Sequence, residues 1–148
     1  MIKTNAQFDF ITSELTEIID QTTAFIIVDD LDHLVKGGRL SNGAAMIGNL
    51  LNIKPILRFD EEGKIVVYEK IRTSKKAFKR LYKILAENTK DRDYKVYVIH
   101  SNIPEKAHEV AEELTSKGFD VSIASFGAVI GTHLGEGALG FGMSPKLK

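Results

Sequence analysis

The sequence contains no cysteine among its 148 residues, carries no formal net charge and has no long apolar run. Without cysteine there is no disulfide framework, no thiolate nucleophile and no thiolate metal site. Because 20 basic residues balance 20 acidic ones, neither nucleic acid nor an anionic membrane is expected as the main partner. No apolar run approaches the roughly 18 residues of a membrane span, and residues 1–7 lack the core of a signal peptide. These absences predict a soluble, cytoplasmic domain.

Apolar spacing divides the chain into helices and strands that alternate around a hairpin. Helices are predicted over residues 6–20, 30–37, 41–51, 74–88 and 104–117. Strands are predicted over residues 24–28, 53–59, 64–72, 94–100 and 119–125, with a four-residue hairpin loop at 60–63. The glycine-dense stretch 127–142 predicts only tight turns or close contacts. This order predicts an α/β fold of one domain, residues 1–148, built as a two-layer sandwich in which helices pack on a mixed sheet.

Gly37, Gly38 and Arg39 form the most informative local motif. Two adjacent glycines let the backbone turn or approach another group closely, and the arginine offers a rigid fork of donors for a carboxylate or phosphate. The apolar segment 41–51 follows directly. The motif fits the mouth of a groove for an amphiphilic ligand, and it equally fits a buried helix held by one salt bridge.

Motifs for catalysis, metals or nucleotides are weak. Residues 135–140 match the dinucleotide pattern GxGxxG, but the eight residues that follow cannot complete a strand–helix–strand unit. The histidines, which have no partner at a metal-ligand spacing, are His33, His100, His108 and His133. His133 stands out because flanking glycines would expose its ring to a ligand. We therefore predict no metal, no cofactor and no catalytic residue.

An acidic cluster and one arginine leave alternatives open. An apolar strand followed by Asp30 and Asp32 resembles the nucleophile pattern of magnesium-dependent phosphotransferases. The alternative is that these residues, with Asp29, cap and charge the first turn of a short helix. Arg72, just before a predicted helix N-terminus, could complete an anion-binding corner, or it could pair at the surface with Glu69 or Asp60.

Several separated segments together resemble the DegV family. The matching residues are 31–41, 48–57, 63–65, 70–73, 76–77 and 127–140, with the GGR-to-IKP stretch the most specific. Proteins of this family have two α/β domains with a long-chain fatty acid between them. In bacteria with a fatty acid kinase, such proteins present the acid to the kinase for phosphorylation.

The resemblance implies a domain organisation and a set of partners. Residues 1–22 correspond to a lead-in helix and residues 23–148 to the C-terminal, lipid-binding domain, with the N-terminal domain absent. The implied partners are a long-chain fatty acid, a fatty acid kinase, and either an N-terminal domain or a second copy of the chain. Proline is common in the family where Ala128 and Glu136 stand here. Glu136 is therefore free to pair with Arg39, Arg72 or protonated His133, or to repel a fatty carboxylate.

Residue chemistry and the resemblance together assign one wall of a divided ligand site, the half that lines the tail; the resemblance places the wall that grips the carboxylate in the N-terminal domain. In this chain the tail side is expected on one face of the helix at 41–51, through Met46, Ile47, Leu50 and Leu51. The polar side is expected at Gly38, Arg39, Arg72, Thr132 and His133. Burying about a dozen methylenes at about 0.8 kcal/mol each would supply on the order of 10 kcal/mol before the costs of ordering and desolvation. The sequence therefore predicts a binding module rather than an enzyme.

Overall fold

The computed structural model of the chain describes residues 7–29, 31–40, 53–89 and 93–146. In chain order the helices are α1 (Phe8–Gln21), α2 (Asp32–Lys36), α3 (Ser74–Asn88), α4 (Pro104–Ser116) and α5 (Ala128–Leu134). The strands are β1 (Thr23–Ile27), β2 (Lys54–Phe59), β3 (Ile65–Ile71), β4 (Tyr94–His100), β5 (Asp120–Ser125) and β6 (Leu139–Pro145). The predicted helix at 41–51, with Met46, Ile47, Leu50 and Leu51, lies outside the described residues.

The strands form one mixed sheet in the order β3-β2-β1-β6-β4-β5. The β4–β5 pair is parallel, and the other neighbouring pairs are antiparallel. The mixed sheet with helices packed on it is thus confirmed. However, α5 and β6 were not predicted, because the glycines of residues 127–142 obscure both the helical and the alternating apolar pattern. β6 pairs with β1 and β4 and lies at the centre of the sheet.

The main core lies between α3, α4 and one face of the sheet. Alternate strand residues such as Ile56, Val98 and Phe141, none of which is exposed, pack there against Leu81 of α3 and Leu114 of α4. Both helices have the predicted apolar stripe, because apolar residues recur at helical spacing on one side. The sequence offers Ser74 or Thr73 as the cap of α3, and the structure shows Thr73 in that role, since its hydroxyl accepts a hydrogen bond from the backbone N–H of Lys76 at 3.3 Å.

The opposite face of the sheet carries a second, smaller core. Strand side chains of the other parity, including Ile26 and Leu57, pack there with Leu34 of α2 and Leu134 of α5. Successive side chains of a strand point to opposite faces, so β1 supplies both cores. Because α2 and α5 are short, the described helices cover only part of this second face.

Two helices differ from expectation. α2 begins at Asp32 after Leu31, and no side chain among the described residues caps it. Of the two predicted caps, Asp29 instead forms an ion pair of 2.8 Å with Lys54, and Asp30 lies outside the described residues. The predicted lead-in helix forms as α1, but none of its residues is buried. Phe8 is 77% exposed, so the apolar stripe of α1 is not covered by the described part of the chain.

Candidate ligand-binding groove

A groove of about 830 Å³ lies on the second face of the sheet. Its floor is formed by small and apolar residues of four neighbouring strands: Ala24, Ile26, Gly140, Gly142, Ile99 and Ala124. The strand register places these residues side by side, with Ala24 opposite Gly142, and Gly140 opposite both Ile26 and Ile99. Volumes of roughly 300–1,000 Å³ are typical of small-molecule sites.

Two residues of the floor, both in β6, are glycines, and the space above them differs. A Cβ atom at Gly140 would lie 2.7 Å from Cζ of Phe126, so that ring already fills the space above this residue. A Cβ atom at Gly142 would lie 3.6 Å from Cβ of Tyr97, which is ordinary van der Waals contact. A methyl group therefore fits at Gly142 beside the Tyr97 side chain without a clash, and both Phe126 and Ala24 line the groove.

The groove is flanked by α5 and by the turn that follows α2. Val129, Ile130 and His133 contribute from α5, and Gly38, Arg39 and Leu40 contribute from the turn. Gly38 has a φ of +64°, a left-handed conformation in which a side chain is strained. Val129 and Ile130 are 75% and 48% exposed, so this wall offers apolar surface to a ligand.

The basic side chains that line the groove are Arg39, Lys64 and His133, and no carboxylate is among its described lining residues. Lys64 forms an ion pair with Glu62, which offsets its charge. The guanidinium of Arg39 makes a long hydrogen bond of 3.4 Å to the carbonyl of Gly37, and within the described ranges its other donors remain for a ligand. Arg39 and His133 are therefore the groups best suited to an anion.

Of the residues expected on the polar side of the site, the structure brings Gly38, Arg39 and His133 together on the groove. Arg72 and Thr132 are not among its lining residues. Arg72 follows Ile71, at the end of β3 opposite to the groove residue Ile65, and the Thr132 hydroxyl donates to the Ala128 carbonyl at 2.8 Å.

Glu136 also has a partner that the sequence did not suggest. Its carboxylate accepts a hydrogen bond of 2.8 Å from the side-chain amide of Asn102. Asn102 has a φ of +55° and lies in the loop after β4. Glu136 thereby joins that loop to the turn between α5 and β6.

The floor residues are the part of the site that sequence reasoning missed. Ala24, Ile99, Ala124 and Gly142 belong to four strands that become neighbours only once β6 is inserted between β1 and β4. The one local signal was glycine at every second position of residues 140–142, which leaves one face of a strand without side chains.

The described residues lend no support to metal or nucleotide chemistry. Within them, no group of three or more His, Asp or Glu residues could hold a metal ion. Residues 135–140 lead from α5 into β6, which is helix-to-strand, whereas the dinucleotide motif leads from a strand into a helix. No helix of the described part is long and apolar enough to cross a membrane.

Comparison with known proteins gives consistent matches over nearly the whole chain. A family model described as "Uncharacterised protein, DegV family" matches residues 1–146. A DegV domain-containing protein of Streptococcus pyogenes serotype M1 is 61% identical over 142 residues, which cover 95% of this chain and 50% of that protein. The chain thus spans about half the length of the curated relatives that it matches.

Solved structures give the same result. The fatty acid binding DegV family protein from Streptococcus agalactiae superimposes with a TM-score of 0.91 at 54% identity, over 98% of this chain and 52% of that one. DegV from Bacillus subtilis, described as a fatty acid binding protein, gives 0.85 at 47% identity, over 98% and 52% of the two chains. The chain therefore belongs to the DegV family.

Proposed function

We propose that the groove binds a long-chain fatty acid, with the acyl tail on the glycine floor and the carboxylate near Arg39 and His133. The observation that carries this proposal is the pairing of an apolar floor with basic side chains on the two walls and no described carboxylate. An amphiphile with an anionic end matches both features. The related proteins from S. agalactiae and B. subtilis, described as fatty acid binding, support the same ligand class.

The tail would supply most of the binding free energy. Each buried methylene contributes about 0.8 kcal/mol, so a tail of a dozen methylenes offers on the order of 10 kcal/mol before the costs of association. The floor position without a side chain at Gly142 lets the tail lie close to the backbone of β6, beside the Phe126 ring that covers Gly140. No group on the floor can donate a hydrogen bond from a side chain, which suits a hydrocarbon.

The carboxylate would be held more loosely. Arg39 is exposed, and exposed ion pairs contribute only about 0–1 kcal/mol. Its planar fork can nevertheless engage both oxygens of a carboxylate. His133 is only partly exposed and lies on the other wall, so it could donate a second hydrogen bond. Arg39 and His133, on the two walls, thus orient the ligand with its carboxylate toward them and its tail on the floor.

The same proposal extends to a larger assembly. We infer that the groove is one half of a two-domain site and that the bound acid is presented to a fatty acid kinase. Two facts support this: the relatives are about twice as long as this chain, and the apolar wall at Val129 is open to solvent. Arg72, which lies away from the groove, would then serve the docked kinase. Incubation with a fatty acid kinase, ATP and a fatty acid, with Arg72→Ala compared with the unsubstituted chain, tests this part by acyl-phosphate formation.

Native mass spectrometry after mild purification tests ligand binding itself. We expect a mass increment that matches a fatty acid of about 14–18 carbons, lost on organic extraction and restored when the acid is added back. If no mass increment is seen even after a fatty acid is added, the proposal is contradicted.

A second candidate is an interaction domain that binds no lipid by itself. The exposed apolar stripe of α1 favours it, because such surfaces mark contacts between proteins. In the same spectra this candidate predicts a dimer without an adduct. A magnesium-dependent phosphotransferase that uses Asp30 and Asp32 stays an untested prediction, because Asp30 lies outside the described residues. Phosphate release that needs Mg²⁺ and is abolished by Asp30→Asn would support it.

A further inference from the structure

The two helices that flank the groove end against each other. Leu34 of α2 and Leu134 of α5 belong to the same buried cluster and are 0% and 2% exposed. Each helix is followed at once by a glycine, Gly37 after α2 and Gly135 after α5. The relative position of the groove walls therefore depends on how these two helix ends fit together.

Each helix places a histidine ring on the glycine that ends the other helix. A Cβ atom at Gly135 would lie 2.6 Å from Cδ2 and 3.1 Å from Nε2 of His33. A Cβ atom at Gly37 would lie 3.1 Å from Cε1 of His133 and would overlap its Nδ1. Neither glycine can carry a side chain unless the facing ring moves. The contacts are reciprocal, and together they form a two-histidine clasp defined by His33, Gly37, His133 and Gly135.

The two histidines of this clasp differ in their position relative to the ligand. His133 lines the groove, whereas His33 is not among its lining residues. Gly135 has a φ of +79° and a ψ of 172°, a region populated almost only by glycine. That conformation lets the backbone approach the His33 ring closely, so His33 has a constrained place against α5.

The clasp is connected to Arg39 by the backbone. The N–H of Arg39 donates to the carbonyl of Leu34 at 2.9 Å, and the N–H of Gly37 donates to the carbonyl of His33 at 2.9 Å. These bonds fix the turn after α2 to the last turn of that helix. A shift of α2 relative to α5 would therefore move Arg39 relative to His133.

We propose that His33 is a positioning residue: by packing on Gly135 it holds Arg39 and His133 at the separation that an anionic headgroup requires. This inference rests on the proposed fatty acid site. It predicts that His33 matters for the carboxylate and not for the tail, because the floor strands lie outside the clasp.

The test compares an acid with its uncharged analogue. Affinities for tetradecanoic acid and tetradecan-1-ol are measured by displacement of a fluorescent fatty acid from the unsubstituted chain, His33→Ala and His33→Phe. We expect His33→Ala to weaken the acid about fivefold, because the contact with exposed Arg39 is weak and only its geometry is lost, while the alcohol changes less than about twofold. His33→Phe keeps a flat ring on Gly135 and should restore the affinity for the acid.

The outcomes separate this inference from the proposed function. If the unsubstituted chain binds the acid no better than the alcohol, the headgroup site itself is wrong, and the inference fails with it. If the preference for the acid exists and persists in His33→Ala, only the positioning role is overturned. Equal losses for acid and alcohol would also overturn it, because they would indicate a general structural defect. Thermal unfolding of each variant is recorded alongside the affinities.

Discussion

Replacement of Gly142 by valine should fill the groove while leaving the fold intact. The backbone at Gly142 is not in the left-handed region, and a Cβ atom there meets Tyr97 at an ordinary 3.6 Å. Because glycine in a strand interior costs roughly 0.5–1 kcal/mol relative to alanine, the free energy of unfolding should rise by a similar amount. The midpoint of thermal unfolding should then rise by about 2 °C.

Affinity for a fatty acid should change in the opposite direction. The valine side chain takes the place of two or three methylenes of the tail, which at about 0.8 kcal/mol each amounts to about 2 kcal/mol. This corresponds to a loss of about 30-fold in affinity, and Gly142→Ala should lose about fourfold on the same scale.

Displacement titration with tetradecanoic acid and differential scanning calorimetry measure the two effects together. Ile123→Phe serves as the matched control, because Ile123 pairs with Val98 and so lies on the opposite face of the sheet. A Gly142→Val variant that is stable and binds the acid as tightly as the unsubstituted chain would refute the placement of the tail.

Three further predictions concern the framework around the groove. Thr73→Ala removes the cap of α3 and should lower the free energy of unfolding by about 1 kcal/mol, seen as a lower urea midpoint that Thr73→Ser largely restores. The hydrogen bond from Tyr82, followed by that from Lys117, holds the pKa of Glu113 below its usual value. Stability from Glu113 is thus present above the pKa of the unfolded chain and is lost as the pH falls through the folded pKa. Tyr82→Phe should therefore show a smaller loss of urea stability between about pH 5 and pH 3. Gly135→Ala should destabilise the chain, and the double variant with His33→Ala should recover part of that loss in urea unfolding, because the alanine methyl then meets no ring; additive effects would argue against the clasp.

Local signals in the sequence were sufficient for the elements whose apolar period is unbroken. α3 has a threonine cap and a continuous apolar stripe, and α4 begins with Pro104 and ends before a glycine of φ +90°. Such features are encoded within one turn of the element itself. The sequence therefore predicted these helices close to their observed bounds.

The remaining parts depend on tertiary pairing. β6 has glycine at 140 and 142 and is a strand because β1 and β4 pair with it on both sides. Because β6 was not predicted, the order of the strands could not be predicted either. The residues of the groove floor become neighbours only in that order. Arg39 and His133 could be singled out because glycines flank them, but their position on the same groove depends on the packing of α2 on α5. The periodicity of α1 predicts a helix with an apolar stripe, but it does not predict whether that stripe is covered.

Paramagnetic fatty acids measure the position of the ligand most directly. With methyl-labelled alanine and isoleucine, stearic acid carrying a nitroxide near its methyl end should broaden the signals of Ala24, Ala124 and Ile99 in the groove. Moving the nitroxide close to the carboxylate should shift the strongest effect toward Ile130, on the wall that carries His133. If the broadening instead falls on Ile123, on the opposite face of the sheet, or on the isoleucines of α1, the groove does not hold the ligand and the central claim is wrong.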